Sequence, residues 1–383
     1  MRHDLLVVGG GIHGAAVARD AALRGLTVLL VERGDLASGT SSRSSKLIHG
    51  GIRYLETGQI RLVREALRER ALLLELASDF VRPLAFLIPH YRGEGRPRLE
   101  VRVGLYLYAA FAGRHPLSAH RTMSASEARG LEPALEPKGL QGASHYWDAQ
   151  MDDAAMCVAV ALDAERAGAA IRTYTALVGL APDGAAWRAR FRDVDTGAED
   201  EALARCVVNA AGPWAGEVHA LADPSTATGM RRTRGTHVVV PALTREHALL
   251  LTARRDARVL FVLPWGAYSL IGTTDVDDDA APGRVAPRPE DVRYLLEGPG
   301  RALPGLDRAR KPLRVFAGLR SLARSGAGRP SANTREHRIV ERGTLLTLIG
   351  GKYTTHRSWA ERIVDRAAEL AGIETRESVT AAT

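Results

Sequence analysis

From residue 4 the chain opens with an apolar run, DLLVV, breaks at GGGIHG, and then spaces its apolar residues in a helical rhythm as far as Arg24. A short apolar run bounded by turn residues reads as a buried strand, and apolar positions three and four apart read as a helix. Gly25 closes that helix, and residues 27–31 (TVLLV) form a second apolar run that ends at Glu32. The pattern predicts a β-α-β unit. Residues 59–78 repeat apolar positions at three and four and predict a long amphipathic helix. Residues 154–168 read as another helix and 169–183 as the strand that follows it. Residues 187–212 read as a hairpin turning near Thr196-Gly197 and returning in a strand at 206–209.

The rhythm changes at residue 236. THVVVP, RVLFVLPW and YSLIGTTD are three short β runs with no long helix between them. That predicts an antiparallel sheet, and hence a second domain inserted into the first. Residues 279–312 are rich in proline, glycine and charge, with one short helix over 290–297. TLLTLIGG is the final strand and residues 354–372 the final helix. There is no internal repeat and no low-complexity tract.

Composition narrows the class. A chain of 383 residues suits two domains, or one large α/β domain with an insertion, and 45% hydrophobic with 25% charged residues is ordinary for a soluble globular protein. Cys157 and Cys206 lie far apart, match no metal-ligand spacing and read as reduced thiols of a cytosolic protein. The net charge of +8 and pI near 9.8 fit nucleic acid, an anionic membrane surface or acidic substrates. With lysine only at 46, 138, 311 and 352, 48 of the 52 basic residues are arginine, and they are scattered. A GC-rich genome accounts for such a bias first, and a functional basic surface second. Interleaved aromatics and clustered cations, the marks of a nucleic-acid surface, are lacking. No cleavable signal peptide is expected, and no apolar run reaches the ~18–20 residues of a membrane span. Residues 101–113 (VRVGLYLYAAFAG) read first as a buried helix or strand pair and second as a surface that dips into a membrane.

Candidate chemistry begins at the first turn. Gly9, Gly11 and Gly14 form G-x-G-x-x-G after a strand and at a helix start, with Ile12 and His13 inside it and Glu32 closing the next strand. In that context the glycines let backbone approach a pyrophosphate at the helix N-terminus, and Glu32 accepts ribose hydroxyls. The fingerprint alone does not separate NAD from FAD. VVNAAGPWA, with Ala210 and Gly212, looks like the returning strand of two-dinucleotide-binding flavoproteins. LIGGKYTTHRSWAERIV is a strand, a Gly-Gly turn and a helix start, and in such flavoproteins that helix turns its positive end toward the flavin. The three stretches together favour FAD. The fold class expected is α/β: a Rossmann-like FAD domain from residues 1–80, 150–215 and 336–383, with an inserted, mainly antiparallel β substrate domain from 81–149 and 216–335.

TSSRSSKLIHGGIRYLE, from residue 40, follows the fingerprint, and MDDAAM, NAAGPW, RGTHVVVP, FVLPW, IGTTD and GGKYTTHR follow in turn. In this order the chain resembles the FAD-dependent glycerol-3-phosphate dehydrogenases over nearly its whole length. The resemblance implies that Thr40, Ser41, Ser42, Ser45, Lys46 and Leu47 lie along the cofactor. It implies that His49, Gly50 and Gly51 press backbone against the isoalloxazine ring, and that Gly351, Lys352, Tyr353 and Thr354 adjoin it. Arg53 and Tyr54 are placed at the substrate end. Arg320, Arg335 and Lys352 are further cations for a phosphate dianion, with a plain surface role as the competing reading of the two arginines. His237 is the first choice for general base and His49 its rival. The catalytic set expected is His237, Arg320 and Lys352, with no metal.

The activity implied is oxidation of sn-glycerol 3-phosphate to dihydroxyacetone phosphate, with hydride passing from C2 to flavin N5 and electrons passing to a quinone. Oxygen is the alternative acceptor. An oxidase of another small hydroxy acid or amine, and a basic flavin-stabilised binding protein, are the rival functions. The location implied is cytoplasmic, with peripheral contact on the inner face of the cytoplasmic membrane; a homodimer is compatible with it, and no nucleic-acid partner is expected. Two departures stand out. The family often carries a further C-terminal helical domain of about a hundred residues, whereas this sequence ends soon after the last FAD helix. Ser321 replaces the usual proline in GLRSL, ahead of the small-residue stretch ARSGAGRPSA.

Overall fold

The computed structural model describes residues 2–113, 117, 119–225, 228–253, 255–309, 311–323 and 337–383. Among these residues the chain forms two large β-sheets, one mostly parallel and one mostly antiparallel, with helices packed on both. The fold is the mixed α/β class expected.

The parallel sheet runs in the order Leu345–Ile349, Glu199–Asn209, Arg2–Val8, Val28–Val31, Ala170–Arg172, with Arg338–Arg342 antiparallel at the outer edge. Arg2–Val8 is central. A strand covered on both faces needs apolar residues at every position, and Leu5 to Val8 meet that need. Leu5 and Val7 join the core under the helices Ile12–Leu23 and His356–Ala371, while Leu6 and Val8 join Trp187 and Phe191 on the other face. Alanines 15, 16, 18, 21 and 22 make Ile12–Leu23 a slim helix, which packs closely on Asp153–Arg166 and His356–Ala371.

Residues 169–183 form two strands where the apolar pattern predicts one. Ala170–Arg172 pairs parallel with Val28–Val31, and Thr175–Asp183 turns away to pair antiparallel with Ala186–Asp193. Tyr174 breaks the run with a left-handed φ of 51°, a conformation that bars strand continuation.

The second sheet is built from segments that interrupt the first: Leu47–Ile48, Val81–Tyr91, Arg121–Met123, Leu140–Met151 and the strands from Met230–Pro241 to Arg314–Ala323. Its pairs are antiparallel except at Ala248 and Leu249, which run parallel to Phe86 and Leu87. Helices Ile60–Leu76 and Arg98–Ala112 cover one face through Leu62, Val63, Leu67 and Leu105. Ala125–Leu131 and Pro289–Glu297 cover the other through Ala128 and Leu295. Residues 101–113 thus lie mostly in the half-buried helix Arg98–Ala112, in which Val101, Leu105 and Tyr108 face the core, while Leu99, Val103 and Tyr106 are 62%, 51% and 68% exposed. No helix among the described residues is long and apolar enough to cross a membrane. Leu47–Ile48 pairs with Ala149 and Gln150 of the second sheet, so the His-Gly-Gly turn leaves directly from a strand of that sheet.

Candidate active site

The glycine turn has the shape its spacing requires. Gly9 takes a φ of 109°, and a Cβ there would stand 2.8 Å from the Ala210 carbonyl oxygen. A Cβ on Gly14 would stand 1.9 Å from the Gly9 carbonyl oxygen, so the turn can close on its helix only over glycine. The N–H of Ile12 donates to Ser41 Oγ at 3.0 Å, which ties the fingerprint to the 3₁₀ turn Thr40–Ser42. Glu32 accepts from the N–H of Gly10 at 2.7 Å and of Gly34 at 2.8 Å. Its carboxylate has lone pairs to spare for hydroxyl donors.

The next stretch carries the chain between the sheets. Ser44 and Lys46 both bond Asp153, at 2.6 and 2.5 Å. The Lys46 ammonium is therefore buried in an ion pair rather than turned into the cavity described below. The N–H of His49 donates to Thr354 Oγ1 at 3.2 Å, and the Thr354 hydroxyl lies 3.4 Å from the His49 carbonyl. This joins the His-Gly-Gly turn to the C-terminal Gly-Gly turn, where Tyr353 donates to the Asp153 carbonyl at 2.5 Å. The Lys352 ammonium sits 3.8 Å from the centre of the Tyr54 ring, in cation–π range. His13 and His337 share a 2.7 Å Nε2–Nε2 contact under Gly351, and burial pushes the His13 pKa down to about 4.

The second sheet supplies the opposite wall. His237 is 1% exposed, stacks on Phe316 at 5.1 Å between ring centres, and meets Ser45 Oγ through Nε2 at 2.9 Å. Burial first, and then the charges of Arg320 and Lys46, push its pKa down to about 3. The ring is therefore neutral near pH 7. Arg320 is held by the Thr274 carbonyl at 3.0 Å, the Thr273 hydroxyl at 2.8 Å and Asp275 at 3.3 Å.

These parts meet around one cavity of about 900 Å³, toward the upper end of the roughly 300–1,000 Å³ seen for ligand sites. Of the residues expected from the sequence it brings together Gly9, Gly11, Ile12, His13, Glu32, Thr40, Ser41, Ser45, Leu47, His49, Gly51, Arg53, Tyr54, Ala210, Gly212, His237, Arg320, Gly351, Lys352, Tyr353 and Thr354. Gly14, Ser42, Lys46 and Gly50 stand behind this lining. Arg335 and most of ARSGAGRPSA lie outside the described residues. Sequence reasoning missed Asp148, Phe261, Arg258 and Trp214 as lining residues. Trp214 carried a signal, since it lies within NAAGPWA; it holds Arg33 over its ring at 4.6 Å. Asp148 lies within HYWDAQ on the strand Leu140–Met151, and nothing in that run singles out its carboxylate.

The donor set suits a dinucleotide. A glycine turn that no Cβ fits lies at a helix N-terminus, an acceptor carboxylate stands beside it, and cations lie farther along the same cavity. A family profile described as "FAD dependent oxidoreductase" matches residues 4–357. The chain belongs to the FAD dependent oxidoreductase family. FAD is the cofactor of that family, and the cradle between Gly9 and Glu32 fits it. D-erythritol 1-phosphate dehydrogenase of Brucella abortus is 41% identical over 96% of this chain and 74% of its own length. Glycerol-3-phosphate dehydrogenase of Synechocystis is 37% identical over 95% of this chain and 69% of its own length. Among solved structures, the FAD complex of the glycerol-3-phosphate dehydrogenase from Bacillus halodurans superposes with a TM-score of 0.79. It is 28% identical over 100% of this chain and 67% of its own length. Gly9, Gly11, Glu32, Thr40 and Ser41 share this cavity with His237, Arg320, Lys352 and Arg53.

Proposed function

We propose that this flavoprotein oxidises the secondary hydroxyl of a short polyol phosphate, sn-glycerol 3-phosphate in the first place, to the ketone dihydroxyacetone phosphate. One observation carries the reading: a neutral imidazole and several cations share a cavity with the dinucleotide cradle. FAD, when bound, supplies the hydride acceptor for the C2 hydrogen at N5. His237 accepts the hydroxyl proton at Nε2, the nitrogen that faces Ser45, as the carbonyl forms. The ring is unprotonated at neutral pH, and its proton affinity rises as negative charge develops on the substrate oxygen beside it. Arg320 offers a fork for a phosphate dianion and Lys352 a point charge, and Arg53 extends the cationic wall.

A second reading, a longer polyol phosphate, is favoured by a specific feature. A neighbouring cavity of about 580 Å³ shares Ile52, Arg53, Leu250 and Val259 with the first, which leaves room for added carbons beyond Arg53. The identity to an erythritol phosphate dehydrogenase supports the same direction. Electrons pass on to a quinone in this proposal, with oxygen as the alternative. The exposed apolar stripe of Arg98–Ala112, set among Arg98 and Arg102, supports peripheral contact with anionic lipid at the cytoplasmic face. The test is anaerobic mixing of the flavin-loaded protein with glycerol 3-phosphate, erythritol phosphate and glycerol, following flavin absorbance. Bleaching by a phosphorylated polyol supports the reading; bleaching by neither phosphate removes it.

A further inference from the structure

Behind the His-Gly-Gly turn lies a group of buried polar side chains with no part in the chemistry above. Asp148 is 2% exposed and Arg70 1%. Arg70 Nη1 donates to Asp148 Oδ1 at 2.6 Å and to the Trp147 carbonyl at 2.9 Å. The Tyr108 hydroxyl lies 2.8 and 3.0 Å from the two Asp148 oxygens. The N–H of Gly50 completes the set, donating to Oδ1 at 3.3 Å. A buried ion pair costs more in lost hydration than its attraction returns unless its remaining lone pairs are satisfied. Here the satisfying partners include a backbone amide of the turn itself.

That turn is held on two sides. Thr354 bonds the His49 peptide from the C-terminal turn, and Asp148 bonds the Gly50 peptide from the second sheet. Side chains crowd it as well. A Cβ on Gly50 would stand 2.5 Å from Leu67 Cδ2 and from the Tyr108 oxygen, and one on Gly51 would stand 2.4 Å from the Tyr54 ring. The two glycines therefore admit close packing by the protein from behind, while His49, Gly51 and Asp148 face the cavity.

We infer that Asp148 is a positioning residue: seated by Arg70 and Tyr108, it fixes the Gly50 peptide so that the His49–Gly51 backbone keeps one distance from bound FAD. The inference rests on the reading that this turn lies against the flavin. Hydride transfer depends steeply on such placement, and a shift of about 1 Å can cost about a hundredfold in rate.

The experiment compares Asp148→Ala, Asp148→Asn and Tyr108→Phe with the parent chain, each loaded with FAD and held well below its own unfolding midpoint. Three quantities are read: flavin reduction per bound flavin at saturating polyol phosphate, the half-saturating substrate concentration, and the FAD dissociation constant from titration of apoprotein. Asp148→Ala is expected to slow reduction about ten- to a hundredfold and weaken FAD binding about tenfold, the scale of one lost bond to a charged group. Half-saturation should move less than about threefold, since the substrate contacts stay in place. Asp148→Asn keeps an oxygen for Gly50 and Arg70 and should recover most of both losses. Tyr108→Phe should fall between. A purely structural ion pair predicts a lower unfolding midpoint with parental rate and FAD affinity per folded molecule, and that result overturns the inference. So does Asp148→Asn as impaired as Asp148→Ala. If Asp148→Ala does not fold, parental rate and affinity in Tyr108→Phe overturn it instead. If no polyol phosphate reduces the parent, the functional reading fails by itself, and the FAD affinities still decide the role of Asp148.

Discussion

Replacing Gly235 by alanine would disturb the proposed phosphate end without removing a charge. Gly235 pairs with Gly318 across two strands of the second sheet, and Arg320 lies two residues farther along the partner strand. A Cβ on Gly235 would stand 2.3 Å from Arg320 Nη2 and 2.6 Å from Cζ. Non-bonded heavy atoms rest at about 3.5–4.0 Å, so the guanidinium must retreat by roughly 1 Å. Its bonds to the Thr273 hydroxyl at 2.8 Å and the Thr274 carbonyl at 3.0 Å fix the fork where it now stands, and a retreat gives up at least one of them. One charge-assisted hydrogen bond is worth about 1.5–3 kcal/mol, or about one to two powers of ten in kcat/KM. Asp275, 3.3 Å from Nη1, already offsets part of the charge. The low end is therefore expected: about tenfold for Gly235→Ala and about ten- to thirtyfold for Arg320→Ala.

The assay is anaerobic flavin reduction by glycerol 3-phosphate and by glycerol, which has no phosphate to lose. Both variants should lower the first rate and leave the second near its parental value. Arg320→Lys should recover only part of the loss, because a point charge does not reproduce the fork. A pH profile adds an independent reading. Arg320 is the second cause, after burial, of the depressed His237 pKa. Arg320→Ala should therefore move the acid limb of the rate profile to higher pH, while Gly235→Ala, which keeps the charge, should move it less. If both variants leave the ratio of the two rates unchanged, the phosphate is bound elsewhere and the substrate class loses its physical support.

Other outcomes follow from the same geometry. His237→Gln should slow flavin reduction by about a hundred- to ten-thousandfold, the usual share of a general base, with little change in bound FAD; a parental rate would leave the base unassigned. His237 and His356 are each held near a pKa of about 3, chiefly by burial, against an ordinary value of about 6.5. The folded pKa lies below the unfolded one, so their contribution is full above about pH 6.5 and falls as pH drops toward 3, by up to about 1.4 kcal/mol per pH unit each. Thermal midpoints of the apoprotein that stay equal between pH 7 and pH 5 would refute this. Gly14→Ala, whose Cβ meets the Gly9 carbonyl oxygen at 1.9 Å, should yield protein without flavin, and a yellow preparation would contradict it. Flotation with anionic liposomes at low salt, lost at high salt and in Tyr106→Asp, is expected of the exposed stripe on Arg98–Ala112; equal failure to float in every condition removes the membrane contact.

The parts of the site legible in the sequence were those where backbone geometry dictates residue type. The Gly9–Gly14 turn admits no Cβ at Gly14, so its glycines are written into the chain, and the apolar run at 4–8 follows from burial on both faces. The strand Arg314–Ala323 was not legible, for the opposite reason. A strand is read from alternation, and alternation requires one face on a core. Gly318, Arg320 and Ser321 line the cavity instead, so small and polar residues stand where apolar ones would have marked the strand. The Gly-Gly pair after His49 was legible as close approach, but its partners were not. The sequence read it as backbone meeting a flat ligand, and the structure adds Leu67, Tyr108 and Tyr54 pressing from behind. Those contacts join residues 50 and 108, and Asp148 joins both to Arg70, across sequence separations that no local pattern reports. Where a residue answers to its own backbone, the sequence reveals it; where it answers to a partner folded in from a distant segment, as Asp148 does, only the packing reveals it.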